Sequence, residues 1–133
     1  MSTTELMQGT ALAASLTVGD LEKAVAWYTN VMGWEIARRV ERDGKLRGMA
    51  IKAGDVNIIL NQDDFAKGTG RVKGAGMSFT IYTSQDIDRL AAQAKANGGP
   101  LETDVQDAPW GPVRFFRAKD PDGFRWTIMK RLG

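Results

Sequence analysis

A chain of 133 residues with 43% apolar and 26% charged side chains is sized and composed for one soluble globular domain, not two. It has no cysteine and no histidine, which excludes disulfides and thiolate chemistry and removes the commonest general base and transition-metal ligand together. The net charge of +2 is spread among interspersed acids and bases, so the basic tract of a nucleic-acid binder is missing, as are a membrane span of about 20 apolar residues and a signal-peptide pattern.

These features lead us to expect a cytoplasmic protein with no nucleic-acid or membrane partner. Any metal would have to rest on carboxylates and carbonyls, a donor set suited to Mg²⁺ or Ca²⁺ rather than Zn²⁺.

In chain order, residues 1–9 are polar and expected to be loosely docked. Ala11 to Val18 (ALAASLTV) reads as a strand. Asp20 is a good N-cap for a helix whose apolar positions Leu21, Ala24, Val25, Tyr28, Val31 and Met32 recur at helical spacing, with Gly33 as its stop. The strand WEIARRVER follows, up to Asp43-Gly44, a strong hairpin signal, then LRGMAIKA, a turn at Gly54-Asp55 and VNIILNQ. Gln62 to Ala75 is poor in apolar residues and rich in Gly and Lys, a connector. Its glycines lack the following Gly-Lys-Ser/Thr of a phosphate loop.

The order then repeats. GMSFTIYT is a strand, SQDIDRLAAQAKANGG a helix with Ile87, Leu90, Ala91 and Ala94 on one face, and PLETDVQ a strand. Trp110 to Ala118 leads into the Asp120-Pro121-Asp122-Gly123 turn, and FRWTIMKR closes the chain. Adding 66 to a residue number carries Asp20-Leu21 onto Asp86-Ile87, Val25 onto Ala91 and Gly33 onto Gly99. The chain is therefore an internal duplication within one domain, 1–133: a first βαβββ module over 10–62 and a second over 75–131. This order gives an α+β fold with mostly antiparallel pairing, its curved mixed sheets set around a cleft.

The duplicated βαβββ unit resembles the vicinal oxygen chelate superfamily, which includes glyoxalases, extradiol dioxygenases and bleomycin-resistance proteins. LTVGDLEKAVAWYTNVMGW is similar to that family's opening strand and helix, and QDIDRLAAQAKANGG to its second helix. PWGPVRFFRAKDPDGFRWTI is similar to its closing hairpin, especially in the antibiotic-binding and resistance branch. In metal-dependent members His and Glu ligands stand on the first and last strands of each module. Carried over one at a time, those positions fall on Ala13, Ile59, Gly76 (Met77 if the register slips by one) and Thr127. None can hold a metal. The resemblance therefore implies no metal and no cofactor here, and a metal-dependent glyoxalase or dioxygenase is not expected.

Residues two apart in a strand share a face. With the ligand positions marking the cleft, Ala13, Ser15 and Thr17 face it from the first strand and Asn57, Ile59 and Asn61 from the fourth. Ser78 and Thr80 face it from the fifth strand, and Arg125, Thr127 and Met129 from the last. Leu16, Val18, Ile58, Leu60, Met77, Phe79, Ile81, Trp126 and Ile128 then meet the helices.

Arg38 and Arg125 are the candidate charges of an otherwise uncharged polar lining, and with Arg114 and Arg117 they disfavour a cationic ligand such as bleomycin. Trp110, beside Gly111, is placed to stack on a planar ligand or to pack over a dimer seam. Trp27, Tyr28 and Trp126 read as core, and Trp34 is undecided.

Two functions follow from this reading. One is a binder that sequesters or carries a planar neutral or anionic small molecule, through Ser15, Arg38, Asn57, Ile59, Asn61, Ser78, Trp110, Arg125 and Thr127. The other is a metal-independent isomerase, lyase or cyclase, for which Glu35, Asp104 and Asp107 are the loosely placed acid–base candidates. The bland alternative is that the polar residues form the solvated face of a curved sheet. The resemblance also implies a homodimer in which each cleft borrows from the partner, with the connector around Thr69 as a hinge for exchanging halves.

Overall fold

The computed structural model describes residues 4–133, so the first three of the polar N-terminal residues lie outside the described residues. The first module runs β1 (Ala14–Val18), α1 (Leu21–Ala26), a π-helical turn (Trp27–Val31), β2 (Glu35–Arg42), β3 (Lys45–Ala53) and β4 (Val56–Gln62). The second runs β5 (Ser78–Tyr82), α2 (Ile87–Ala96), β6 (Thr103–Asp107), β7 (Val113–Lys119) and β8 (Arg125–Arg131). Each forms a four-stranded mixed sheet of the same order, β1-β4-β3-β2 and β5-β8-β7-β6, parallel only at β1–β4 and β5–β8. The duplicated βαβββ architecture expected from the sequence is present.

Local chemistry sets the elements in matching ways. Asp20 accepts from the Lys23 amide (3.1 Å) and Asp86 from the Arg89 amide (3.2 Å), so both helices start on an Asp three residues before its donor. Asp43 and Gly44 both take positive φ (52° and 74°), the two-residue hairpin turn whose twist suits β2–β3. The first helix differs from the uniform one expected. Its last turn is π, with the Met32 amide bonded to the Trp27 carbonyl (3.2 Å). The Thr29 hydroxyl takes the Val25 carbonyl (2.9 Å), a back-bond that loosens helical turns.

Alternation places Leu16, Val18, Ile58, Leu60, Trp126 and Ile128 in the core, as expected, with Phe79 and Ile81 half-buried against it. Met77 departs from the expectation. It lies one residue before β5 and is exposed, so no ladder turns it toward a helix.

The helix-side faces of both sheets meet in a single core. Trp34 is buried there, 5.2 Å from Trp126 and 5.4 Å from Tyr28 between ring centroids, which settles it as a packing residue. Polar groups close one end of the seam between modules. The Tyr28 hydroxyl donates to Asp120 (2.7 Å) and accepts from the Trp126 indole N–H (2.9 Å), while Asp122 accepts from the Gly19 amide (2.8 Å).

The connector between modules is pinned rather than free. Buried Asp63 pairs with Lys73 (2.9 Å) and faces Arg71 (3.6 Å), and Gly74 passes directly against the Gly123 carbonyl. No helix among the described residues is long and apolar enough to cross a membrane.

Candidate functional site

Because the helix-side faces converge on one core, the opposite face of each sheet points outward. On the first sheet that face carries Ser15, Thr17, Asn57, Ile59 and Asn61. The ladder aligns Ser15, Ile59, Ala50 and Arg38 across four strands, and Thr17, Asn61, Gly48 and Val40 beside them. Ser15, Arg38 and Asn57 are exposed, and Ile59 and Asn61 are half-buried. Asn57 spends its amide on the Asp55 carbonyl (3.2 Å), holding the β3–β4 turn.

On the second sheet the outward face is tiered. One tier runs Tyr82, Met129, Phe115, Gln106; the next Thr80, Thr127, Arg117, Thr103; the third Ser78, Arg125, Lys119. Trp110, at the tip of the β6–β7 loop, extends the first tier. It is 61% exposed, yet its ring lies 5.1 Å from Phe115. Phe115, Thr127 and Met129 are buried although they lie outside the main core, so this face holds a small covered cluster of its own. Arg117 covers part of it, its guanidinium 4.8 Å from the Phe115 centroid and its Nε donating to the Thr127 hydroxyl (3.2 Å).

The third tier is self-neutralising. Arg125 pairs with Glu102 (Nη2 to Oε2, 3.1 Å), and Lys119 reaches the same carboxylate at 2.9 Å. Arg125, then Lys119, hold the Glu102 carboxyl below the usual carboxylate range. Ser78, Lys119 and Arg125 line a depression of about 340 Å³ under residues 72–77. A larger groove of about 600 Å³ lies on the helix side, between the Gly54–Val56 turn and Thr83–Gln85, with Trp34, Phe116 and Ile128 among its lining. It contains none of the expected site residues.

The nine expected site residues thus divide. Ser78, Trp110, Arg125 and Thr127 share the outward face of the second sheet, and Ser15, Arg38, Asn57, Ile59 and Asn61 that of the first. Two of the arginines are engaged with acids. Arg114 leaves the cleft side altogether, bonding Asp88 of α2 (2.6 Å) and Asp107 (3.0 Å). Arg125 is paired with Glu102. Sequence reasoning gave no role to Phe115 and counted Arg117 only as background charge. The signal was available, since the Asp120–Gly123 turn fixes how β7 pairs with β8.

The acid–base candidates are also tied. Glu35 pairs with Lys52 (3.3 Å), Asp104 with Lys95 of α2 (3.1 Å) and Asp107 with Arg114.

A family model for the Glyoxalase/Bleomycin resistance protein/Dioxygenase superfamily matches residues 10–128. The chain belongs to this superfamily. It is 26% identical over 129 residues to a probable lactoylglutathione lyase of Vibrio parahaemolyticus, covering 94% of this chain and 93% of that one. It is 23% identical over 117 residues to lactoylglutathione lyase GLX1 of Arabidopsis thaliana, covering 86% of this chain but only 41% of that longer protein. A superfamily member from Sphaerobacter thermophilus has the same fold, with a TM-score of 0.72 at 24% identity, covering 95% of this chain and all of that one.

The positions expected from the resemblance to carry metal ligands offer no donor set for a cation here. Ala13 lies one residue before β1 and Gly76 two before β5. The residues level with Ile59 and Thr127 are instead Ser15 and Thr80. Neither set supplies a carboxylate or imidazole, and among the described residues no three such side chains gather elsewhere.

Proposed function

We propose that this superfamily member binds a planar, neutral or anionic small molecule, sequestering or carrying it without metal chemistry. The observation that carries this reading is Trp110: a large, exposed indole held in place on Phe115 at the edge of an outward sheet face. An indole so placed presents a flat apolar surface whose ordering cost is already met by its partner ring. The remainder of the face offers hydroxyls from Thr80 and Ser78 for hydrogen bonding. Such a mix of apolar platform and few polar groups is typical of small-molecule sites.

A single chain leaves both outward faces open. We therefore propose a homodimer in which the first-sheet face of one copy, with Ser15, Arg38, Ile59 and Asn61, closes over the second-sheet face of the other. The pinned connector supports pairing of intact chains over exchange of halves through Thr69.

The metal-independent isomerase, lyase or cyclase reading finds less support. Each acid–base candidate is engaged in an ion pair, and the lyase activity named for the relatives comes with only 23 and 26% identity.

The test is calorimetric titration with flat aromatic compounds against wild type and Trp110→Ala, with product analysis in chelator. Saturable binding without turnover, weakened at least tenfold in the variant, is expected; undiminished binding by Trp110→Ala would remove stacking from the account. Sedimentation showing only monomer at binding concentrations would remove the partner's face.

A further inference from the structure

We propose that the ligand is an aromatic carboxylate and that the Arg117 guanidinium, beside Thr127, receives its charge. This rests on the stacking reading of Trp110.

Arg117 is level with Thr127 on the adjacent strand, and its Nε donates to the Thr127 hydroxyl at 3.2 Å. The plane of the guanidinium is further fixed by the Phe115 ring 4.8 Å away. Its two terminal nitrogens make no hydrogen bond to protein, and no carboxylate lies within 4.0 Å of it, among the described residues. The neighbouring cations of this face are otherwise occupied: Arg125 and Lys119 share Glu102, and Arg131 sits 4.5 Å over Tyr82.

Arg117 is thus the oriented, half-buried and uncompensated charge of the tier, with one edge of its fork open. That edge matches the two oxygens of a carboxylate. Phe115 is two residues along β7, its Cα about 7 Å from that of Arg117, and its ring, with Trp110 against it, lies 4.8 Å from the guanidinium. A carboxylate seated on Arg117 therefore leaves its attached ring over the aromatic tier. The exposed hydroxyl of Thr80, in the same tier as Arg117, adds a donor on the far side of β8.

The test uses 2-naphthoate and its neutral isostere 2-naphthamide as probes, titrated calorimetrically at low ionic strength. Wild type is expected to prefer the naphthoate by on the order of tenfold or more. Arg117→Met, which keeps an apolar stem over Phe115, is expected to lose that preference, the two probes then binding with similar affinity. Arg117→Lys, with charge but no fork, falls between them. Equal affinities in wild type, which need no variant, overturn the proposal, as does a preference that survives in a folded Arg117→Met. In either case stacking stands if Trp110→Ala weakens both probes alike. If Trp110→Ala weakens neither, stacking fails whatever Arg117 does. No binding of naphthoate at millimolar concentration overturns both.

Discussion

The Tyr28 hydroxyl donates across 2.7 Å to Asp120, joining the π turn of the first module to the β7–β8 turn of the second. Both groups are buried, and burial is the main reason that the phenol and the carboxyl are each pushed above their ordinary ranges. Asp120 spends its other oxygen on the amides of Asp122 and Phe124 (2.9 and 2.8 Å), so one carboxylate shapes a turn and bonds two modules. Tyr28→Phe leaves that carboxylate short of a donor and the Trp126 indole short of an acceptor. A loss of about 2 kcal/mol is expected in urea unfolding, the scale of a bond to a charged group plus a stranded donor. Asp120→Ala should cost more, because the turn amides lose their acceptor as well.

Gly74 tests how tightly the connector is laid down. A β-carbon there would land on the backbone of Gly123 and Phe124, which cannot swing aside as a side chain can. Gly70, four residues earlier, has open space around it. Gly74→Ala is expected to lower stability by about 2 kcal/mol or more, and Gly70→Ala to stay within about 0.5 kcal/mol. Equal midpoints for the two variants in denaturant would show that the connector does not cross the turn so closely.

Much of this fold was legible because its signals are local and repeated. Asp20 and Asp86 announce both helices, Asp43-Gly44 announces a hairpin, and the alternation of Leu16, Val18, Ile58 and Leu60 chooses a face. The site was legible only as a face. Trp110, Thr127 and Ser15 could be assigned to outward positions by parity, but parity is silent about ion pairs. The fates of Arg114 and Arg125 depend on Asp88 and Glu102, separated from them by 26 and 23 residues. Trp34 lies outside any strand or helix, so no periodicity spoke for it. Its burial comes from Tyr28 and Trp126 meeting across the seam.

The Asp63–Lys73 pair gives the connector an acid limit. The bond from Lys73, then the Phe65 amide, hold the Asp63 carboxyl below its ordinary value of 3.8. A carboxyl lowered in the folded state contributes stability that is fully present above the unfolded value and fades as pH falls through the folded one. The connector is therefore expected to stay protease-resistant down to about pH 4 and to become cleavable around residues 64–72 below it. An acid-stable protease such as pepsin can follow this over pH 2–4. Asp63→Asn should be cleaved faster at pH 4 and show a flatter dependence below it. A wild-type connector cut equally fast at pH 4 and pH 2 would show that this pair does not hold it.

Divalent cations provide the last test, because the donor set makes a definite forecast. Ser15, level with Ile59, and Thr80, level with Thr127, supply no carboxylate to the outward faces. Glu102, beside Arg125 and Lys119 of the third tier, is spanned by both of them, and Glu35 on the first module is paired with Lys52. A cation would have to break those pairs and sit near the Arg117 guanidinium, a like charge. Were a metal to bind only the folded protein, a concentration one hundred times its Kd would add about 2.7 kcal/mol. For a domain of this size that raises the melting temperature by several degrees. Dialysis against EDTA, and then millimolar Mg²⁺, Ca²⁺ or Zn²⁺, are each expected to leave the melting temperature within about 1 °C, and aromatic-ligand affinity unchanged. A saturable rise of several degrees with any one of these ions would mean that the outward faces assemble a donor set not present in one chain.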